Sequence, residues 1–385
     1  WSEPDNLWMG IVSEDDPLNI GQGYSVQKTT SNIATYSGLL NNGDIDISGL
    51  DWTDQGNPTA EGWNLVGNPF PSVLDFSLVD TIGTFINAST YVWPHGSTGP
   101  YLTYSQGGGG NLEARYIQPG QGFMVQLTAD NQTLTLPNAA RTHTNLDSFD
   151  KSSKEEDNIL QALKIKIEGH NKWDETYINF IEESSLGFDS YFDVHKLYAS
   201  AINPHVFSYI NLEEGEKAAI NSIPPPNDGE VLHLGTKIGL TGEYTMTFSG
   251  LSSFDSQYEF LLLDKKLDEI YVLEEDSIIS FAYENGDAQN RFDLLFGLST
   301  SIENDNMNEL NHYFVTAADG QLFIRSSIQS QPGTMMYVYN MMGQLVAEKQ
   351  LTQDLESINL ESSVAYYMVF IKSDIEHQQF KVLIP

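Results

Sequence analysis

The side chains that could do chemistry here are eight histidines, a large pool of carboxylates and a few clustered aromatics, because the chain has no cysteine. That absence removes disulfides, thiolate metal sites and cysteine nucleophiles together. The histidines at 95, 143, 170, 195, 205, 233, 312 and 377 include no pair at i, i+4 and no His-x-His. A helical or strand-borne zinc site therefore has no sequence basis. Gly-x-Ser-x-Gly is absent as well, so no nucleophile elbow can be named.

Carboxylates could serve glycoside hydrolysis as an acid and base pair. Among 53 acidic residues some pair always lies at a suggestive spacing, so Asp44 with Asp46, or Asp189 with Asp193, reads as solvated turn residues ahead of an acid and base pair. Clustered loop carboxylates also suit calcium, a hard cation that prefers oxygen ligands. Asp189 and Asp193 are the candidate calcium ligands, beside Glu14 to Asp16 and the group Asp44, Asp46, Asp51 and Asp54. The aromatics Trp93, Tyr101 and Tyr104 precede the glycine run 107–110. They are candidate platforms for stacking on a glycan, or else Trp93 fills the core with Tyr91 while the glycines connect strands.

The elements that must position these residues are strands. From Trp1 to His143 the sequence is short apolar runs punctuated by Gly, Asn, Asp and Pro, without a sustained 3.6-residue period. Gly21-Gln22-Gly23 and Gly120-Gln121-Gly122 each lead into alternating residues and read as two similar hairpins of one sandwich. A phosphate loop would need a helix after the glycines. Trp63, Leu65 and Val66 form a strand that Asn68-Pro69 and Pro71 terminate. Polar residues 144–157 read as a linker. A second β-rich stretch opens on Leu163-Lys164-Ile165-Lys166-Ile167 and continues through Tyr177–Phe180, Tyr244–Phe248, Tyr258–Leu263 and Phe292–Phe296. Residues 298–306 read as a tether.

The formal charge of −35 repels phosphate backbones, so nucleic acid is not an expected partner. No apolar run reaches the roughly 20 residues of a membrane-spanning helix. Charged residues make up only 18%, leaving a surface of Ser, Thr, Asn, Gln, Gly and Tyr, the make-up of an extracellular β protein.

The last fifty residues carry the most specific pattern. Val338-Tyr339-Asn340-Met341-Met342-Gly343-Gln344-Leu345-Val346 is followed by Tyr366-Tyr367-Met368-Val369 and by Lys381-Val382-Leu383-Ile384. This resembles the type A C-terminal sorting domain of proteins exported by the type IX secretion system of Bacteroidetes. Its departures are Ser363 to Ala365, where that family has a Pro-Ser-Gly turn, and Pro385, where it often has a basic residue. The resemblance implies a sorting signal made of Tyr339, Asn340, Gly343, Gln344, Val346, Tyr367, Lys381 and Val382. It implies recognition by the outer-membrane translocon and its shuttle barrel, and processing by a surface sortase. The stretches around Gly62–Ser72 and Gly187–Leu197 resemble β-domains that precede such sorting domains.

The expectation is an all-β protein of tandem antiparallel β-sandwich domains: 1–146, incomplete at its N-terminus; 159–297; and a small Ig-like sorting domain at 312–385. It would be the non-catalytic C-terminal part of a secreted or cell-surface protein, with any catalytic domain upstream of Trp1. An adhesin-like module for a glycan or protein, or an accessory region of a secreted hydrolase, is the alternative.

Overall fold

The computed structural model describes residues 1–5, 7–10, 18–25, 38–94, 99–143, 161–210, 215–226, 230–256, 258–267, 269–298, 313–318, 320–326, 333–352, 355–360, 365–373 and 377–384. The expected linker at 144–157, most of the tether at 298–306, Glu14 to Asp16, and the histidines at 95 and 312 lie outside the described residues. The fold is all-β. Among the described pairings, antiparallel ladders dominate, and Tyr177–Phe180 runs parallel beside Ile220–Ile223. Among the described residues no helix is long and apolar enough to cross a membrane. Two compact units emerge: residues 1–224 with 235–253 and 278–289, and residues 225–234 with 254–277 and 290–385.

In the first unit a five-stranded sheet runs in the order Trp63–Gly67, Gly122–Gln126, Ser89–Val92, Leu102–Ser105, Gly109–Gly110. Side chains alternate across a strand, and here both faces are covered. Val66, Phe123, Val125 and Val92 point into a core shared with Phe70, Leu74, Phe76 and Ile117. Trp63, Met124 and Tyr91 point the other way, into a cluster with Tyr177, Val194, Ala219 and Ile220. The sheet is therefore a middle layer, and the stretches expected as two separate sandwiches share a core through it. Such double coverage explains why all four residues of both Ser89–Val92 and Leu102–Ser105 are buried. The two Gly-Gln-Gly segments flank the Trp63 strand: Gly23 donates its N–H to Leu65 O on one side, and Gly122 pairs with Gly67 on the other.

The second stretch of this unit orders its strands His205–Tyr209, Lys217–Ile223, Lys172–Phe180, Gln161–Gly169, Gly242–Ser249, Ser277–Tyr283. The alternation predicted at Leu163, Ile165 and Ile167 holds, all three being fully buried. His170 and Asn171 join the central hairpin at φ of 53° and 57°, the left-handed pair that matches strand twist.

In the second unit, Glu269–Leu273, Tyr258–Asp264, Phe292–Leu298 and residues 231–234 lie in that order. Leu261, Leu263 and Leu295 of this sheet pack against Phe323. Residues 313–384 form a sandwich of three strands, Tyr313–Ala318, Gln321–Ser326 and Leu355–Asn359, over four. The four run Leu345–Gln350, Met335–Asn340, Ala365–Lys372, His377–Ile384. Tyr313, Val315, Leu322 and Ile324 from one sheet meet Met336, Val338, Val369, Ile371 and Phe380 from the other.

Candidate functional site

The three separated pieces of the C-terminal pattern come together in the four-stranded sheet. Asn340 stands opposite Tyr367, and Tyr367 opposite Val382. Tyr367 and Val382 point inward and are buried, whereas Lys381 faces outward with its Nζ 4.3 Å from the centre of the Tyr366 ring.

The turn explains the motif's residue types. Asn340 Oδ1 accepts hydrogen bonds from the N–H groups of Met342 and Gln344, both at 3.0 Å. Its Nδ2 donates to Gln344 Oε1 at 2.9 Å, and the backbone closes with Asn340 N to Gln344 O at 3.0 Å and Gly343 N to Asn340 O at 2.9 Å. Gly343 sits at φ 77°, a left-handed conformation that costs a side chain energy. The Asn-x-x-Gly-Gln spacing thus writes a turn whose shape its own side chains hold. The turn and the strand after it present Met341, Met342, Leu345 and Val346 at 62, 79, 49 and 44% exposure. Beside them is an open cleft of about 910 Å³ lined by Tyr337, Tyr339, Met341, Met368 and Phe370. Tyr339 meets Phe370 edge to face, with 5.6 Å between ring centres.

The aromatic trio divides. Tyr104 is buried at 5% exposure, and burial pushes its hydroxyl up to about 12, so it belongs to the core rather than to a platform. Tyr101 is half-buried against the Trp63 and Tyr91 cluster. Trp93 is 43% exposed, not core as the alternative had it, and meets Tyr101 edge-on at 5.0 Å. Tyr91 is fully buried.

Asp189 and Asp193 are adjacent, but their oxygens are engaged by backbone. Asp193 Oδ1 accepts from Ser222 N and Oδ2 from Asp189 N, both at 2.7 Å, while Asp189 Oδ2 accepts from Ser185 N at 2.7 Å. The pair clasps a loop, the turn chemistry that was the other reading of these residues. Burial raises the Asp193 carboxyl to about 7. Among the described residues no group of three or more His, Asp or Glu could hold a metal ion.

Sequence reasoning missed the seam between the middle layer and the second stretch. His195, buried, directs Nδ1 to Gln126 Oε1 and Nε2 to Glu216 Oε1, each at 2.6 Å, and stacks on Phe188 at 3.8 Å. Gln126 Nε2 donates to Pro58 O and Glu61 O, which fixes its oxygen toward His195. Tyr91 OH donates to His195 O at 3.0 Å. Nearby, Lys196 Nζ lies 2.6 Å from Asp174 Oδ2, which also accepts from Val206 N. Burial alone would raise Asp174, but Lys196 and His205 outweigh it and hold the carboxyl below its ordinary range.

The glycine run 107–110 is a point of close approach on this seam. A Cβ on Gly107 would fall 2.5 Å from Tyr191 Cδ1, and one on Gly108 2.1 Å from Phe192 O. Gly107 N donates to Tyr191 O, Ser105 Oγ donates to the same oxygen, and Asn179 Nδ2 donates to Gly108 O at 2.8 Å. These glycines admit a neighbouring layer. No local signal could have shown it, since the partners lie about eighty residues away.

No curated protein matches the chain. Among solved structures, one described as "Biofilm associated protein - BSP domain" is similar at 10% identity and a TM-score of 0.22, over 91% of this chain and 65% of that one. The chain thus spans 65% of that structure's length, and a likeness so distant carries no argument. Residues 6–296 match the model of a family described as a domain of unknown function, DUF8693; spanning both the middle layer and the stretch that closes on it, that match places the chain in this family.

Proposed function

We propose that residues 313–384 are the export address of a secreted or cell-surface protein, read by a type IX outer-membrane translocon and its shuttle barrel. The preceding residues serve as a non-catalytic accessory region. One observation carries this reading: the turn Asn340–Gln344 is held by its own side chains, and with its following strand it offers four exposed apolar residues. A self-held apolar projection on a folded domain is what a receptor can grip without unfolding its cargo. Tyr339, Tyr367, Lys381 and Val382 support that surface from the neighbouring strands, and cleavage by a surface sortase would follow passage.

The test is to end the chain at Leu298 and follow its location in a host with a working type IX system. Retention in the periplasm is expected. Normal export of the truncated chain would refute the proposal.

A further inference from the structure

Asn-Gly occurs twice in this chain, each time followed by Asp: Asn42-Gly43-Asp44 and Asn285-Gly286-Asp287. Both asparagines are exposed, both glycines have positive φ, 84° and 105°, and neither glycine has a neighbour within 4 Å of where a Cβ would stand. Neither glycine is crowded on the side where a Cβ would stand.

The two side chains differ in restraint. Asn42 Oδ1 accepts from Arg141 Nη1 at 3.0 Å. Arg141 is itself anchored, with Nε donating to Ser72 Oγ at 3.1 Å and its guanidinium 5.3 Å from the centre of the Phe70 ring. Asp44 is tied to the same segment, accepting from Asn138 N at 2.8 Å. At the other site, the turn is closed by Asp287 N to Glu284 O and by Glu284 N to Asp287 Oδ2, both at 3.0 Å. Asn285 is held there through its backbone N–H, which donates to Thr241 Oγ1 at 3.3 Å; among the described residues its side-chain amide has no hydrogen-bond partner.

We propose that Asn285 is a site of spontaneous deamidation, and that Arg141 protects Asn42 in the identical tripeptide. The Gly286 amide nitrogen loses its proton and bonds to Asn285 Cγ. The bond from Cγ to the side-chain nitrogen breaks, and ammonia leaves with the proton, giving a five-membered succinimide. Water then opens either carbonyl, yielding aspartate or isoaspartate. Attack requires the side chain to rotate into a near-attack conformer, and a restraint against that rotation slows the step. The product adds a negative charge between Glu284 and Asp287. Its isoaspartate form also inserts a methylene into a backbone turn fastened to Thr241.

The test incubates the whole folded protein at mildly alkaline pH and follows each site by peptide mass spectrometry, with Asn285→Gln as the blank for that peptide. Conversion at Asn285 is expected to run about tenfold faster than at Asn42. In urea the two rates should converge, because the tripeptides are the same. Arg141→Gln should raise the Asn42 rate in the folded protein and leave Asn285 unchanged. Equal folded-state rates, a difference that persists in urea, or faster conversion at Asn42 would each overturn the proposal. Should Arg141→Gln fail to fold, the folded and urea comparison in the parent protein decides alone.

Discussion

Replacing Gly108 by alanine tests whether the glycine run is a seam rather than a connector. The new Cβ would stand 2.1 Å from Phe192 O, 3.0 Å from Ser222 Oγ and 3.2 Å from Ile220 Cγ2. Carbon and carbonyl oxygen ordinarily keep about 3.3 Å apart, so the layers must part by about 1 Å. The obstacle is backbone, which cannot swing aside. Overpacking of this kind costs about 1–3 kcal/mol. Separation would also loosen the bond from Asn179 Nδ2 to Gly108 O, and a stranded buried donor costs about 1–3 kcal/mol more. The expected loss is about 2–6 kcal/mol, a large share of the roughly 5–15 kcal/mol that holds a domain folded. Gly122→Ala is the control, since its Cβ would meet nothing closer than 3.6 Å and should shift stability by under about 1 kcal/mol. Urea unfolding followed by tryptophan fluorescence reads both variants. A loss at Gly108 no larger than at Gly122 would refute the reasoning.

Two further substitutions address the turn and the buried acid. Asn340→Ala removes an acceptor of two backbone N–H groups and should cost about 1–2 kcal/mol, with loss of amide protection at Met342 and Gln344 in hydrogen exchange; unchanged protection would show that the strands alone set the turn. Asp193 has its pKa raised to about 7 from 3.8 by burial, so its contribution to stability is fully present below about pH 4 and is lost as pH rises through about 7. Asp193→Asn should therefore flatten that part of the stability profile while costing about 1–3 kcal/mol at low pH, since an amide nitrogen cannot accept the second backbone N–H. Urea midpoints across that range check it, and an unaltered slope would mean that the carboxyl titrates elsewhere. Asp174 works in the opposite sense, its contribution being lost as pH falls.

Strand identity was legible because it is local. Leu163, Ile165 and Ile167 alternate and are buried in turn, as are Tyr244, Met246 and Phe248, as period two requires. The C-terminal turn was legible for the same reason, its hydrogen bonds spanning at most four residues. The seam was not. His195 meets Gln126 across 69 residues and Ser105 meets Tyr191 across 86, and nothing in either segment names the other. Glycines at 107 to 110 look alike whether they face water or a neighbouring backbone. Asp189 and Asp193 likewise have the composition of a cation loop, and only the positions of the Ser185, Asp189 and Ser222 N–H groups show how their oxygens are used.

The same contrast in span orders events during folding. A hairpin closed over four residues loses little chain entropy and forms in about 1–10 μs. Contacts across 86 residues must wait until the intervening strands have brought their ends together, and topology of that kind slows folding. When the full-length chain refolds from denaturant, the Asn340 turn therefore closes ahead of the glycine seam, whose partners lie 86 residues apart.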